Sequence, residues 1–320
     1  MEYRIDRKQL SGPRFEDLRR ELAQRLLRHS PIEGPQTTLI PALHIIRQPY
    51  PNEPVHSLYR PSLCIVAQGA KQVLLGGESY TYDPSTYLAT SVELPIQGRV
   101  VEASEERPYL SLQLYFTADQ ILPLEETLDL STDKDATDRG LAAGRMNEDL
   151  LDTVLRLIRL LDTPRDIGAL SPLIVQELLY RTLQGELGGQ MRRFAAAGTL
   201  SKRIADVVRR LRLDYDKPLR IDELAAQAQM SESSLYAHFK KVTHLTPIQY
   251  QKKIRLQEAR RLLLSETGSA AEAAFRVGYE SPSQFSREYA RLFGLPPGRD
   301  LKRMQAGMTA NASPSGIPGD

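Results

Sequence analysis

Residues 230–247 read MSESSLYAHFKKVTHLTP. Ser231 is a good helix N-cap, and the stretch after it is amphipathic, with Leu235 and Phe239 four apart on one helical face. Ser233, Ser234, Tyr236, Ala237 and His238 fall on or near the other face. Lys240 and Lys241 close the helix, where cations complement the macrodipole. Just upstream, 221–229 (IDELAAQAQ) predicts a short helix whose alanines permit close packing. A helix, a tight turn, then a helix with a small polar face and a basic end is the layout of a helix-turn-helix reader.

The pattern returns once. Phe285, Tyr289, Arg291, Leu295 and Pro297 match Leu235, Phe239, Lys241, Leu245 and Pro247 at an offset of 50 residues. Glu272, Ala273 and Ala274 match Glu223, Leu224 and Ala225 at an offset of 49, so the second turn is one residue longer. Two such units, at about 221–241 and 270–293, make a far more specific signal than one.

On these residues the chain resembles a known family. FKKVTHLTPIQYQKKIRLQEARRLLL followed by VGYESPSQFSREYARLFGLPPGRDLKR is similar to the DNA-binding domain of AraC/XylS bacterial transcriptional regulators. PSLCIVAQGAKQVLLGGESYTYDPSTYLATSVELPIQG resembles the N-terminal domain of one subgroup of that family. The likeness covers roughly 35–305. One departure is Gln229, where the family usually has Gly or Ala before the turn. The resemblance implies double-stranded DNA as partner. Further candidate partners are RNA polymerase, a small-molecule effector and a second copy of the chain as a homodimer. It implies no cofactor.

Charge is segregated along the 320 residues. Positions 200–305 hold 20 Lys and Arg against 12 Asp and Glu, while the rest holds 22 against 28. A basic domain joined to an acidic one suits a nucleic-acid binder whose other half has a different task. One cysteine rules out an intrachain disulfide framework. No apolar run is long enough to span a membrane, and MEYRIDRKQL lacks a signal-peptide core, so the expected location is the cytoplasm.

Read in order, residues 1–13 are polar and expected to lack order. Phe15, Leu18, Leu22 and Leu26 mark a helix ending near His29. Residues 62–68 read as a buried strand, and 71–75 and 78–82 flank Gly76 and Gly77 as a hairpin. Residues 86–92, 98–101 and 110–116 add strands, predicting a cupin-like barrel or double-sheet jelly roll. Met146, Leu150, Leu151, Val154, Ile158 and Leu161 stripe one helix. Ser171 and Pro172 are read as the start of a second. Those two helices either cover the barrel or pair with a second subunit. The expected class is α+β. The expected parts are a cupin-like sensor domain with flanking helices (1–187), a linker (188–199), an all-α double helix-turn-helix domain (200–305) and a disordered tail (306–320).

Thr246 and Pro247 open a helix to about Ser265, roughly 27 Å long at 1.5 Å per residue. It carries Tyr250, Ile254, Leu256, Ala259, Leu262 and Leu263 on several sides, so it should be buried on several sides. Consecutive major grooves lie about 34 Å apart, and a spacer of this kind would let one chain read two of them. In the first reader, Ser233 and Tyr236 are expected at base edges or thymine methyls, against a plain phosphate or solvent role; Ser234, Ala237 and His238 lie beside them. In the second, Ser281 caps the helix, and Ser283, Gln284 and Arg287 project to the groove. Gln284 can pair with adenine, and Arg287 either bonds guanine O6 and N7 or clamps a phosphate. Lys240, Lys241 and Arg291 are assigned to phosphates.

No catalytic constellation or metal cluster is legible in the N-terminal part, whose His29, His44 and His56 are far apart. Cys64, in the most apolar strand, reads either as a buried inert thiol or as a sensor of oxidants or electrophiles. The expected function is a sequence-specific transcriptional regulator and not an enzyme. The alternatives are a cupin-type enzyme fused to a DNA-binding module, and a DNA-packaging protein, which should be far more basic than +2.

Overall fold

The computed structural model describes residues 2–3, 12–127, 138–196, 198–265 and 269–312. The chain divides into two compact units, Met1–Arg209 with Asp222–Thr246, and Arg210–Ile221 with Pro247–Asp320.

Among the described residues the first unit is built on eleven strands in chain order: β1 (Glu2–Tyr3), β2 (Gly34–Thr37), β3 (Leu43–Gln48), β4 (Val55–Tyr59), β5 (Ser62–Gln68), β6 (Ala70–Leu75), β7 (Glu78–Tyr82), β8 (Thr86–Thr90), β9 (Leu94–Glu102), β10 (Tyr109–Tyr115) and β11 (Leu141–Arg145). They form a five-stranded sheet, β1-β7-β6-β9-β4, and a six-stranded sheet, β11-β8-β5-β10-β3-β2. The β-rich domain is therefore a pair of open sheets and does not close into one barrel. β1 pairs in parallel with β7, which ties Glu2 and Tyr3 to a sheet; residues 1 and 4–11 of the stretch expected to lack order lie outside the described residues. Gly76 and Gly77 both have positive φ, 57° and 92°, which turns the β6–β7 hairpin.

β5 and β10 explain their own sequences. Leu63, Ile65 and Ala67, with Leu110, Leu112 and Leu114, join the helices in one core, while Cys64, Val66, Tyr109 and Ser111 are buried on the opposite face. Both faces are covered, so β5 reads as a continuous apolar run. The covering helices are α1 (Pro13–Arg28), α2 (Ala118–Thr127), α3 (Glu148–Arg159), α4 (Ile167–Gln184) and α5 (Gly188–Ala195). Phe15, Leu22 and Leu26 bury the predicted face of α1. α4 begins at Ile167 and carries Pro172 inside it, several residues before the expected start at Ser171. Pro172 forgoes the bond to the carbonyl four residues before it, and the helix continues through it. The stretch expected as a linker holds α5, with Met191 and Phe194 buried.

The remaining helices are α6 (Leu200–Leu213), α7 (Ile221–Gln227), α8 (Glu232–Thr243), α9 (Pro247–Ser265), α10 (Ala270–Arg276), α11 (Pro282–Phe293) and α12 (Pro297–Ala312). α7 from Asp222 and all of α8 belong to the first unit; α9 to α12 make the second. Tyr250, Ile254, Leu256, Ala259, Leu262 and Leu263 of α9 are all buried, and the last four join Ala273, Ala274, Phe285 and Tyr289 in the core of the second unit. α12 continues through Ala312, where the sequence predicts a disordered tail; residues 313–320 lie outside the described residues.

Candidate nucleic-acid interface

The two helix-turn-helix units share their backbone chemistry. Ser231 Oγ accepts from Ser234 N at 3.3 Å, and Ser281 Oγ accepts from Gln284 N at 3.3 Å. Each cap satisfies an N–H that the helix start leaves unpaired. At the turns, Met230 N donates to Ala225 O and Tyr279 N to Ala274 O, both at 3.0 Å. These bonds close α7 and α10 around a left-handed residue, Gln229 (φ 54°) in one and Gly278 (φ 85°) in the other. α8 ends on left-handed His244 and α11 on left-handed Gly294, again 50 residues apart. Four residues separate α7 from α8 and five separate α10 from α11.

The turn of the second unit is locked from α9. Arg255 donates to the carbonyls of Tyr215 (2.6 Å), Gly278 (2.8 Å) and Lys217 (2.8 Å). A Cβ at Gly278 would run into the Asp216 carbonyl, so only glycine fits. Behind α11, Asp300 is fully buried and accepts from Arg260 Nε at 2.9 Å and from the Tyr289 hydroxyl at 2.8 Å. This joins α9, α11 and α12 through one carboxylate.

Among the sequence-assigned contacts, Ser231, Ser233, Ala237 and Lys240 are exposed on α8 or its cap, and Ser234, Tyr236 and His238 are half-buried. On α11, Ser283, Gln284, Arg287 and Arg291 are exposed and the cap Ser281 is half-buried. Leu235, Phe239, Phe285 and Tyr289 are fully buried. Gln284 Nε2 donates to Glu288 Oε1 at 3.3 Å, and Lys252 Nζ reaches the same oxygen at 2.8 Å.

Lys241 is engaged by a residue that sequence reading missed. Its ammonium lies 2.5 Å from Asp138 Oδ2, while Asp138 Oδ1 accepts from Arg193 at 3.2 Å and from Ser201 at 3.1 Å. Burial pushes the Asp138 carboxyl up, but the bonds from Lys241 and Arg193 outweigh it and hold it below the usual range. Next to it, Gly140 N donates to Val242 O at 2.8 Å. His244 packs on Gly76, whose missing side chain makes room for it, and its Nδ1 lies 3.8 Å from Glu78 Oε1. Glu78 is itself held by Arg139 at 2.8 Å. The C-terminal end of α8 is thus bonded to the β-domain through Lys241 and the Val242 carbonyl, and packs on it through His244. Nothing in a single sequence links Asp138 or Glu78 to α8.

Cys64 is buried, and burial pushes its thiol up to about 11. His29 Nε2 lies 2.9 Å from Asp162, and His44 packs edge-on to Tyr115. Among the described residues no group of three or more His, Cys, Asp or Glu is placed to hold a metal. No helix among them is long and apolar enough to cross a membrane.

A two-sheet domain followed by paired helix-turn-helix units defines a class of transcription-factor architecture. Residues 39–190 match the family described as the AraC-type transcriptional regulator N-terminus, and 224–303 match a helix-turn-helix domain family. The chain belongs to the AraC/XylS family of transcriptional regulators. It is 34% identical over 108 residues to the regulator GbdR of Pseudomonas aeruginosa, covering 34% of this chain and 29% of that protein. It is 28% identical over 174 residues to ArgR of the same species, covering 53% and 50%. The chain therefore spans half or less of the length of these relatives. In fold it is similar to ToxT of Vibrio cholerae, with a TM-score of 0.56 at 13% identity over 84% of this chain and 98% of that one.

Proposed function

We propose that this protein is a transcriptional regulator that binds double-stranded DNA sequence-specifically through α8 and α11. The duplicated unit carries the reading: matching serine caps, matching turns and matching left-handed C-caps present two exposed polar helix faces. Each helix enters a major groove, the two grooves being consecutive along the duplex. Ser233, Tyr236 and Ala237 meet bases from α8, with His238 beside them. Ser283, Gln284 and Arg287 meet bases from α11. Lys240, Lys241 and Arg291 meet phosphates. The division of labour is a sensor in 1–187 and a DNA reader in 200–305, with 188–199 between them and no enzymatic step in either.

The sensor role is supported by the match to the AraC-type N-terminal family and by the likeness in fold to ToxT, which has been solved with an unsaturated fatty acid bound. For Cys64, the buried and raised thiol supports the inert reading, since reactivity needs thiolate and access. Selection of bound sites from a random duplex pool by the full chain tests the proposal. A conserved motif with two half-sites about one helical turn apart is expected. A pool that emerges with no enriched motif rejects it.

A further inference from the structure

Glu288 lies one helical turn beyond Gln284 on α11, and its side chain is mostly buried, 17% exposed. Three donors from three places hold its carboxylate. Lys252 Nζ of α9 donates to Oε1 at 2.8 Å, and the Tyr279 hydroxyl, from the turn before α11, donates to Oε2 at 2.8 Å. Gln284 Nε2 donates to Oε1 at 3.3 Å. Burial pushes the Glu288 carboxyl up, but the bonds from Lys252, Tyr279 and Gln284 outweigh it and hold it below the usual range, so it is ionised at neutral pH. Burial and the same carboxylate push the Tyr279 hydroxyl up, so it keeps its proton and stays a donor. The Lys252 ammonium offsets the negative charge beside an exposed helix face.

An ionised carboxylate only accepts, whereas a glutamine amide has one end that donates and one that accepts. Glu288 therefore draws the NH2 of Gln284 and repels its oxygen. One N–H is taken; the other N–H and Oε1 remain on an exposed side chain. One donor beside one acceptor is the complement of adenine, which shows N7 and its N6 amino group in the major groove. Guanine shows two acceptors there, N7 and O6, so its O6 would face the amide oxygen. An unheld amide can turn its NH2 toward guanine; a held one must first give up its bond to Glu288.

We infer that Glu288 is a positioning residue for base recognition: it fixes the Gln284 amide so that α11 reads adenine at one base pair and rejects guanine there. The inference rests on the proposed reading of DNA by α11 and adds the residue that sets its specificity.

The test is a binding titration of the full chain against the duplex enriched by selection and its single-base variants. Gln284→Ala should abolish discrimination at one base pair, where adenine is preferred, and so locates that pair. Glu288→Gln keeps the size but can donate as well as accept, which frees the amide to turn. It should reduce the preference for adenine over guanine at that pair about five- to tenfold, with every other pair changed under about twofold. In the Gln284→Ala background, Glu288→Gln should have no further effect at that pair. A merely structural role would weaken every base pair alike, and that result overturns the inference. So does an unchanged adenine preference in Glu288→Gln, or a preferred base other than adenine at the Gln284 position. A cytosine preference lost in Glu288→Gln would make Glu288 itself the reader and overturns it too. Tyr279→Phe removes one of the three bonds to Glu288 and keeps the ring. It should shift the same base pair in the same direction by a smaller factor, and it decides the matter if Glu288→Gln does not melt as a folded chain. The two readings fail separately: a chain that selects no motif rejects DNA reading as such, whereas a motif without a Gln284-dependent adenine removes only the role of Glu288.

Discussion

Lys241 Nζ stands 2.5 Å from Asp138 Oδ2, across 103 residues of chain. The lysine assigned to a DNA phosphate is thereby held by a carboxylate of the β-domain, which also binds Arg193 and Ser201. Asp138→Asn removes the charge that competes with phosphate. It should raise affinity several-fold for operator and random DNA alike, and steepen the log–log salt slope by up to roughly one unit. Titrations at two or more salt concentrations read both quantities. An unchanged slope and affinity would mean that the pair does not restrain the reader.

Arg287 and Lys240 should behave differently. If Arg287 makes the proposed bidentate base contact, Arg287→Ala should relax preference at one base pair by about 1–3 kcal/mol. Lys240→Ala should weaken every sequence alike and flatten the salt slope by roughly one unit. Binding to single-base operator variants decides the matter. If Arg287→Ala weakens all variants equally and flattens the slope as Lys240→Ala does, Arg287 is a phosphate clamp and α11 is not the stronger reader.

The two turns respond in opposite directions to the same kind of change. Gln229 holds φ 54°, a region that costs a non-glycine residue roughly 1–2 kcal/mol, and its side chain is exposed. Gln229→Gly relieves this, less the entropy of glycine, and should stabilise the chain by up to about 1 kcal/mol. Gly278→Ala, by contrast, drives a Cβ into the Asp216 carbonyl and should destabilise it by more than that gain. Thermal melts of both variants check the pair. A destabilised Gln229→Gly would show that the glutamine side chain has a stabilising role.

Asp300 accepts from both Arg260 and Tyr289 in the second unit. Asp300→Ala leaves a largely buried guanidinium and a buried hydroxyl without it, which should cost about 3–5 kcal/mol. Denaturant titration measures this, and a loss below about 1 kcal/mol would assign the packing of α11 to its apolar face alone.

Glu21 gives a pH signature for the first unit. Hydrogen bonds from Arg159 on α3, against the opposing effect of burial, and a further bond from Arg25 hold its carboxyl down at about 2. Its folded value lies below its ordinary one. The stabilisation is therefore complete above about 4.5 and is lost as pH falls toward about 2. The side chain is a third exposed, so solvent screening limits the effect to about 1 kcal/mol. Glu21→Gln should lower stability by that amount at pH 7, and the gap should close near pH 2. A gap that persists there would trace the loss to packing.

The duplicated helix-turn-helix units were legible because their signals are local. Ser231 and Ser281 cap the helices that follow them, and the offset of 50 residues reappears in the left-handed pair His244 and Gly294. The strand β5 was legible from its apolar run, and the β6–β7 turn from its two glycines. Pro172 misled because it lies six residues into α4, where it forgoes one backbone hydrogen bond that the buried apolar residues of the helix offset.

What the sequence by itself determined is therefore the set of elements whose causes lie within a few residues: caps, turns, alternation and the buried faces of α8, α9 and α11. What only the tertiary structure decided is which distant groups meet. The two sheets stay open, and the helix α8 is bonded to Asp138 and Gly140. The reason is physical. A cap or a hairpin is set by short-range backbone geometry, whereas an ion pair across 103 residues exists only once packing brings its two ends together.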